Sequence, residues 1–384
     1  LRPMTYFDNN ATTKPFASVQ AAHAEALVRD WPNPSAPSRA SARVRAKLEL
    51  AREEMAECLE SVPESLSFTS GATEANNSFF AHLASSAQPG DEVLVSAIEH
   101  PSVSEPARHW FGEGVRLLPV DSTGAVDLDV LGELLDDTVP PLCLALMAAS
   151  NETGVLQPWR EAALLCRERG VHFHCDATQW VGKLPSVGLS ACGSFAVSAH
   201  KFGGPKGVGL LGSKLEHRFV LGGLQEAGRR GGTENFPAIE GMKTGLAEVT
   251  GNLSGLPGRS SWRDAFEGSM LENFSGLKVL GGEGSRLWNT SMLLMPDFEG
   301  LSYVGKLDKL GFEVSTGSAC SSGGSKSSPT ALAMGFSETE SKRLLRVSSY
   351  LEETEEDWRS LASAFLEARD QLESESAQST VISL

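Results

Sequence analysis

Three segments of the sequence place reactive groups directly after short apolar runs, where a buried strand would end. Lys201 follows "SFAVSAH", Asp176 follows "VHFHC", and the turn "SGATE" (70–74) follows "SLSFT". A charged side chain at the end of a buried strand is costly unless it is paired or hydrogen-bonded. Lys201 and Asp176 are therefore candidates either for a structural ion pair with each other or for a reaction centre.

Each segment suits one part of a small cofactor. Gly71 can turn the chain from a strand into a helix whose first N–H groups bind a phosphate, and an ordinary N-cap by Ser70 or Thr73 is the structural alternative. A semi-buried lysine amine can form a Schiff base with an aldehyde, and a carboxylate can pair with a protonated ring nitrogen. Pyridoxal 5'-phosphate carries all three groups.

Each histidine near these strand ends has a functional and a structural interpretation. His172, His174 and Asp176 alternate along one strand face, which suggests a metal site, but without a third plausible ligand we favour core histidines that bond to their neighbours. His100, in "IEHPSV", follows the strand "EVLVS" (92–96) and would bring a titratable ring to the same sheet edge. The structural alternative is a histidine that starts a helix before Pro101.

The six cysteines are scattered at positions 58, 143, 166, 175, 192 and 320, with no C-x-x-C pair. This pattern favours a reduced, cytoplasmic setting over a zinc or iron–sulfur motif. Cys320 lies in "STGSACSSGGSKSS" (315–328), a segment of small residues that is typical of a mobile loop. We therefore predict a reactive thiol at Cys320 and core positions for the other five.

Strand and helix patterns alternate through the first two thirds of the chain, which predicts a mostly parallel sheet covered on both faces. Ligands bind at the carboxyl ends of such strands, where Lys201 and Asp176 lie. A Gly/Ser-rich stretch, "GNLSGLPGRSS" (251–261), reads as a linker to a second domain with the strand "RLWNTSMLLM" (286–295). The acidic end, "ESESAQSTVISL", is expected to fray.

Chain length and net charge limit the classes of partner that this protein can bind. The chain has 384 residues, enough for two domains, and a formal net charge of -16. That charge argues against nucleic acid or an anionic membrane as the main partner. The sequence has no apolar run of transmembrane or signal-peptide length, so we expect no membrane association.

Together these segments resemble the cysteine desulfurases of the class V aminotransferase group, in particular the branch with a long mobile cysteine loop. The resemblance spans nearly the whole chain. The matching segments, in the family's order, are "FDNNATT" (7–13), "NPS" (33–35), "FTSGATEANN" (68–77), "EHPSV" (99–103), "NETGV" (151–155), "DATQ" (176–179), "SAHKFGGPKGVG" (198–209), "GRRGGTEN" (228–235), "STGSAC" (315–320) and "LRVS" (345–348).

The resemblance implies an α/β fold, the fold type I of pyridoxal-phosphate-dependent transferases. A large domain at 16–250 would hold a mostly parallel, seven-stranded sheet. A smaller α+β domain, formed by 1–15 and 251–384, would carry the Cys320 loop. The resemblance also implies a homodimer.

Residue roles follow from the same resemblance. Lys201 would bond the cofactor aldehyde, Cys320 would be the nucleophile, and His100 would stack on the cofactor ring and assist proton transfer. Asn151 and Arg346 would hold the substrate carboxylate, for which a guanidinium is well suited. The residues implied to contact the cofactor are Ala72, Thr73, His100, Asn151, Asp176, Gln179, Ser198, His200, Lys201 and, from the other subunit, Thr233.

The implied reaction converts L-cysteine to L-alanine and leaves a persulfide on Cys320 for a protein acceptor, such as an iron–sulfur scaffold or a thiolation enzyme. The alternatives are a selenocysteine lyase, a related class V aminotransferase and a non-catalytic homologue. Three positions depart from the family pattern: Arg39, Ala227 and Leu351. These departures concern substrate preference and the acceptor more than the cofactor.

Overall fold

The computed structural model describes residues 4–317 and 327–382, with side chains described as far as Gln378. The predicted nucleophile, Cys320, lies outside the described residues. Among the described helices, none is long and apolar enough to cross a membrane.

A seven-stranded sheet forms the centre of the larger part of the molecule. Its strand order is β2-β8-β7-β6-β5-β3-β4, and every neighbouring pair is parallel except the two that involve β8. The prediction of a mostly parallel sheet is confirmed. The strands are β2 (Leu66–Thr69), β3 (Val93–Ser96), β4 (Val115–Leu118), β5 (Cys143–Ala145), β6 (His172–Asp176), β7 (Ser194–Ser198) and β8 (Gly209–Ser213).

Helices follow most of these strands, as the alternating pattern predicts. Seven α-helices belong to this part of the described chain; five of them contribute to the main hydrophobic core, and α3 and α4 bury a separate cluster against the sheet. They are α1 (Ala17–Arg29), α2 (Arg39–Cys58), α3 (Ala72–Ser86), α4 (Pro101–Phe111), α5 (Leu128–Leu135), α6 (Trp159–Glu168) and α7 (Phe236–Asn252).

The sheet brings the ends of β6 and β7 to one edge. In the parallel register Asp176 pairs with Ala196, so Asp176 ends β6 two residues before β7 ends at Ser198. Both strands are short, small-residue or apolar runs that are almost wholly buried, as expected for central parallel strands. Side chains that follow these strands therefore meet at the same edge.

A second hydrophobic core contains Phe7, Tyr303, Trp358 and Phe365. It lies beside a three-stranded antiparallel sheet of order β12-β10-β9 and a two-stranded parallel pair, β1-β11. The domain division at residues 15 and 250 stays a prediction. The remaining elements are β1 (Thr5–Tyr6), β9 (Lys278–Val279), β10 (Thr290–Leu294), β11 (Phe312–Glu313), β12 (Leu344–Ser348), α8 (Ser260–Asn273), α9 (Gly300–Lys309), α10 (Pro329–Ala333), α11 (Glu338–Ser341) and α12 (Glu355–Ile382).

Two sequence expectations about irregular chain were wrong. The stretch 251–261 forms helical turns between α7 and α8, because Leu253 and Leu256 pack into the main core. The acidic C-terminal segment continues α12 as far as Ile382. That helix is anchored at its beginning, where Leu361, Phe365 and Leu372 are buried at helical spacing.

Candidate active site

Lys201 ends a single turn of 3-10 helix, Ala199–Lys201, that directly follows β7. Its Nζ donates hydrogen bonds to the backbone carbonyls of Asn10, at 2.6 Å, and Ala11, at 2.8 Å. The strand end therefore holds the amine against the N-terminal segment "DNNAT", which the sequence had linked to it only through the family resemblance.

Asp176 is the last residue of β6 and is almost fully buried. Its Oδ1 accepts the Thr178 N–H at 3.0 Å, and its Oδ2 accepts from Asn76 Nδ2 at 3.2 Å. Both donors are neutral N–H groups. The sequence had suggested a cationic partner and had given Asn76 no role.

His100 caps the N-terminus of α4, and its Nδ1 accepts the Ser102 N–H at 3.0 Å. The neutral ring therefore carries its proton on Nε2. Burial lowers the pKa of His100, the charge of Asp176 opposes that shift, and the charge of Lys201 adds to it. Both readings of this residue hold, because it starts a helix and lies within reach of the charges at the sheet edge.

The turn before α3 leaves a helix N-terminus open. Gly71, at φ +154°, is the N-cap and supplies no side-chain cap, so the alternative in which Ser70 or Thr73 caps the helix is not formed. The Ala72 N–H donates to Ser198 Oγ at 2.8 Å. The N-terminus of a long helix without a cap from its own N-cap residue, and with a hydroxyl beside it, has the donor set that a phosphate needs.

His200 and Thr233 were the remaining predicted phosphate ligands. His200 Nδ1 lies 3.2 Å from Thr12 Oγ1, and burial lowers the pKa of His200 to about 4. Thr233 is exposed, just before α7. No distance links Thr233 to the site of its own chain, and its predicted reach into a partner subunit stays a prediction.

Gln179 belongs to a buried cluster of amide and amine groups. The sequence analysis singled out Gln179 but not Lys183. Its Nε2 donates to the Asn10 carbonyl at 2.9 Å, and its Oε1 accepts from Lys183 Nζ. Lys183 is fully buried, also donates to Asn10 Oδ1 at 2.8 Å, and has a pKa well below its usual range because of burial. The i, i+4 spacing of Gln179 and Lys183 was the available signal.

Arg346, in β12, is almost fully buried and contacts Asp8 and Asn151. Nη2 pairs with Asp8 Oδ1 at 2.6 Å, and Nη1 donates to the Asn151 carbonyl at 3.0 Å. Its Nε is buried with no hydrogen-bond partner in the described part of the chain. Asn151 and Arg346 thus meet, as the resemblance implied.

His172 and His174 are core histidines, and of the five cysteines predicted at core positions four are buried, whereas Cys58 is half-buried. Both His172 and His174 bond to Ser194 Oγ, and within residues 4–317 and 327–382 no group of three His, Cys, Asp or Glu side chains is arranged to hold a metal. Burial raises the pKa of the Cys166 thiol to about 12 and raises that of Cys143 further. Such thiols are poor nucleophiles.

Comparison with known proteins identifies the group to which this architecture belongs. The Aminotransferase class-V family model matches residues 5–361. The chain belongs to this family. Within it the chain is 35% identical to a cysteine desulfurase of Klebsiella pneumoniae over 363 residues, which cover 92% of this chain and 90% of the relative.

Solved structures agree with that placement. A NifS-like protein superposes with a TM-score of 0.87 at 28% identity, covering 96% of this chain and 99% of the other. The structure of SspA in complex with cysteine superposes with a TM-score of 0.76 at 26% identity, covering 89% of this chain and 98% of the other. We therefore place the chain in the cysteine desulfurase family.

The three positions that depart from the family pattern lie in α2, in the turn 226–228 and just after β12. Arg39 is the first residue of α2, and Ala227 adopts φ +56°, a conformation that is uncommon outside glycine. At Leu351, where an arginine is common, the backbone carbonyl instead accepts from Arg259 Nη1 at 3.2 Å. The guanidinium group beside Leu351 therefore belongs to Arg259.

Proposed function

We propose that this protein is a pyridoxal-phosphate-dependent cysteine desulfurase, which converts L-cysteine to L-alanine and moves the sulfur to Cys320 for a protein acceptor. The observation that carries the proposal is the position of three groups at the ends of neighbouring elements of the sheet. Lys201 lies one turn after β7, Asp176 ends β6, and the N-terminus of α3 is joined to the end of β7 by the hydrogen bond from the Ala72 N–H to Ser198 Oγ.

The described residues fit this cofactor. Lys201 would bond the aldehyde, Asp176 would pair with the ring nitrogen, and Gln179 would bond the phenolic oxygen. When bound, the cofactor supplies an electron-withdrawing ring that makes the proton on the substrate α-carbon acidic. The phosphate would lie against the start of α3, held by Ala72, Thr73, Ser198, His200 and Thr233 of the partner subunit, with His100 and Asn151 beside the ring.

Lys201 and His100 have different proton roles in this arrangement. The Lys201 amine, once free, would move the α-proton, and the carbonyls of Asn10 and Ala11 keep that amine at the site. His100 presents a proton on Nε2 because its Nδ1 is occupied, so it would donate rather than accept. We therefore assign removal of the Cys320 proton to an amine at the site rather than to His100.

The sulfur transfer is balanced without another reactant. The bond between the β-carbon and sulfur of L-cysteine breaks, and a sulfur–sulfur bond to Cys320 forms. The sulfur is oxidised, the β-carbon is reduced and gains a proton, and L-alanine leaves. Arg346 and Asn151 would hold the substrate carboxylate during this step. The acceptor that later takes the outer sulfur of the persulfide onto its own thiol, which releases the Cys320 thiol, is a protein such as an iron–sulfur scaffold or a thiolation enzyme.

The test measures two products, alanine and the Cys320 persulfide, and the covalent attachment of the cofactor to Lys201. With L-cysteine, the wild-type protein should form alanine and a Cys320 persulfide, detected by mass spectrometry. Cys320→Ser should keep the visible cofactor band and lose sulfur transfer, whereas the control Cys58→Ser should behave as wild type. After borohydride reduction the cofactor should map to Lys201, and Lys201→Ala should hold none covalently.

Three outcomes would overturn the proposal. The first is full sulfur transfer by Cys320→Ser. The second is a covalently held cofactor in Lys201→Ala. The third is a wild-type protein that neither gains a visible band with pyridoxal phosphate nor forms alanine. 3-Mercaptopyruvate accumulating without persulfide would favour an aminotransferase, which keeps the carbon–sulfur bond and needs no thiol.

A further inference from the structure

A continuous buried network of hydrogen bonds lies beneath the candidate site, in residues to which the proposed reaction gives no role. His172 Nε2 and His174 Nδ1 bond to the same hydroxyl, Ser194 Oγ, at 2.9 and 2.7 Å. His174 Nε2 then lies 2.9 Å from Asn76 Oδ1. We call these four residues the Asn76 network; His174, Ser194 and Asn76 are fully buried, and His172 is half-buried.

The network ends on two residues of the site. Asn76 Nδ2 donates to Asp176 Oδ2 at 3.2 Å and to Ser102 Oγ at 3.0 Å. Ser102 Oγ in turn lies 2.8 Å from His100 Nδ1. A single side-chain amide on α3 therefore connects the carboxylate proposed to pair with the cofactor ring to the histidine proposed to stack on it.

The direction of every bond follows from Asp176. An ionised carboxylate has no proton to donate, so Asn76 must turn its NH₂ group toward Asp176 and its oxygen toward His174. His174 Nε2 must then carry a proton. Burial lowers the pKa of His174 to about 3, so the ring is neutral and its Nδ1 accepts the Ser194 hydroxyl proton.

A second chain of hydrogen bonds runs from Asn76 through Ser102 to His100. Ser102 Oγ accepts from Asn76 and so donates its own proton to His100 Nδ1, which also accepts the Ser102 backbone N–H. This agrees with the Nε2 tautomer of His100. Stacking of His174 on Phe79, at 4.1 Å and 3°, holds the imidazole plane in place.

Asp176 lies close to a second buried carboxyl group. Glu99, which follows β3, is almost fully buried, and burial together with the charge of Asp176 raises the pKa of Glu99 well above its usual range. Glu99 accepts the Met147 N–H at 2.5 Å. The charges of Asp176 and Lys201 both act on His100, so all three groups share one electrostatic environment.

We propose that Asn76 is a positioning residue of the active site, whose amide is oriented by His174 so that its NH₂ group holds the Asp176 carboxyl group in place. The assignment rests on the proposed function for the role of Asp176. The orientation of the amide itself does not, and can be measured separately.

The first measurement uses the wild-type apoprotein. Long-range ¹H–¹⁵N correlation spectra distinguish protonated from unprotonated ring nitrogens, and assignment by His174→Gln identifies the signals. We expect His174 to be protonated at Nε2 and unprotonated at Nδ1. The opposite tautomer would turn the Asn76 oxygen toward Asp176 and would overturn the proposal, whatever the protein catalyses.

The second measurement uses the holoenzyme. In Asn76→Ala the visible band of the lysine-bound cofactor should titrate with a midpoint about one pH unit higher, because a hydrogen bond to a charged group affects acidity on that scale. kcat/KM for cysteine should fall about tenfold. The matched control is Asn77→Ala, the next residue on α3, whose Nδ2 bonds the Thr73 carbonyl.

If Asn76→Ala does not fold, a second pair of variants gives the answer. His174→Gln keeps a donor for Asn76 and should leave the band midpoint unchanged, whereas His174→Leu removes the donor and should raise it. An unchanged midpoint in Asn76→Ala, or equal midpoints in the two His174 variants, would overturn the proposal. A wild-type protein with no visible band would count against the proposed function and leave the tautomer result standing.

Discussion

At the residue scale, titratable groups are held in the form that their buried contacts favour. Lys183 is an amine with two amide acceptors and a lowered pKa, and Glu99 is a carboxyl with one backbone donor and a raised pKa. In both cases burial is the largest cause of the shift. The site therefore combines one carboxylate with several neighbours that avoid charge.

Buried histidines predict how stability depends on pH. Burial lowers the pKa of His217 to about 4, and its Nε2 is buried with no partner in the described residues. Between pH 6.5 and about 4 the unfolded chain binds a proton that the folded chain does not, so stability falls as the pH falls. The slope is about 1.4 kcal/mol per pH unit for each such histidine.

Urea unfolding at several pH values tests this for one residue. His217→Phe should lose stability less steeply than wild type between pH 6.5 and 4.5, because it has no ring to protonate on unfolding. His109→Phe, at an exposed helix position, is the control and should keep the wild-type slope. Equal slopes for wild type and His217→Phe would contradict the assignment.

At the element scale, close backbone contacts position the turn before α3. A Cβ at Gly209, the first residue of β8, would lie 2.4 Å from the Val197 carbonyl oxygen and 2.6 Å from the Gly71 Cα. These are backbone atoms that cannot move without displacing β7 or the turn. Glycine at 209 therefore allows β8 to approach the turn that would bind the phosphate.

Gly209→Ala should destabilise the protein by about 2 kcal/mol, because overpacking of this kind forces backbone shifts. It should also weaken binding of pyridoxal phosphate, measured by fluorescence titration of the apoprotein. Gly305→Ala, on the exposed face of α9 with nothing within 4 Å of the added atom, is the control. That change should raise stability by up to about 1 kcal/mol. A Gly209→Ala protein with wild-type stability and affinity would refute the close-contact argument.

At the scale of the whole molecule, the segment before α7 exposes apolar side chains. Leu221 is 78% exposed and Leu224 is 91% exposed, in the same segment as Thr233. Large exposed apolar patches mark interaction surfaces, and these two leucines lie three residues apart in one segment. Together with the family resemblance, this favours a homodimer in which Thr233 meets the partner's site.

Leu224→Asp should weaken that dimer, because it would place an unpaired charge in an apolar interface. Sedimentation velocity at micromolar concentration should show a dimer for wild type and a shift toward monomer for the variant. Leu301→Asp, at an exposed position of α9, is the control and should remain dimeric. A monomeric wild type with bound cofactor and full activity would rule out the predicted role of Thr233.

The sequence by itself determined the class of sheet and most of the candidate site. Buried parallel strands need continuous small or apolar runs, so β3, β6 and β7 were visible as such. A charge that directly follows a buried run must be paired or used, which singled out Lys201 and Asp176.

Only the tertiary structure decided which neutral partners hold those charges. Asn76 lies on a helix a hundred residues before Asp176, and Asn10 lies at the start of the chain. Their hydrogen bonds join positions far apart in sequence, and no local period or spacing encodes such contacts. The same reason explains the continuation of α12 through a segment that looked too polar to be ordered, since its leucine and phenylalanine anchors pack against residues from both ends of the chain.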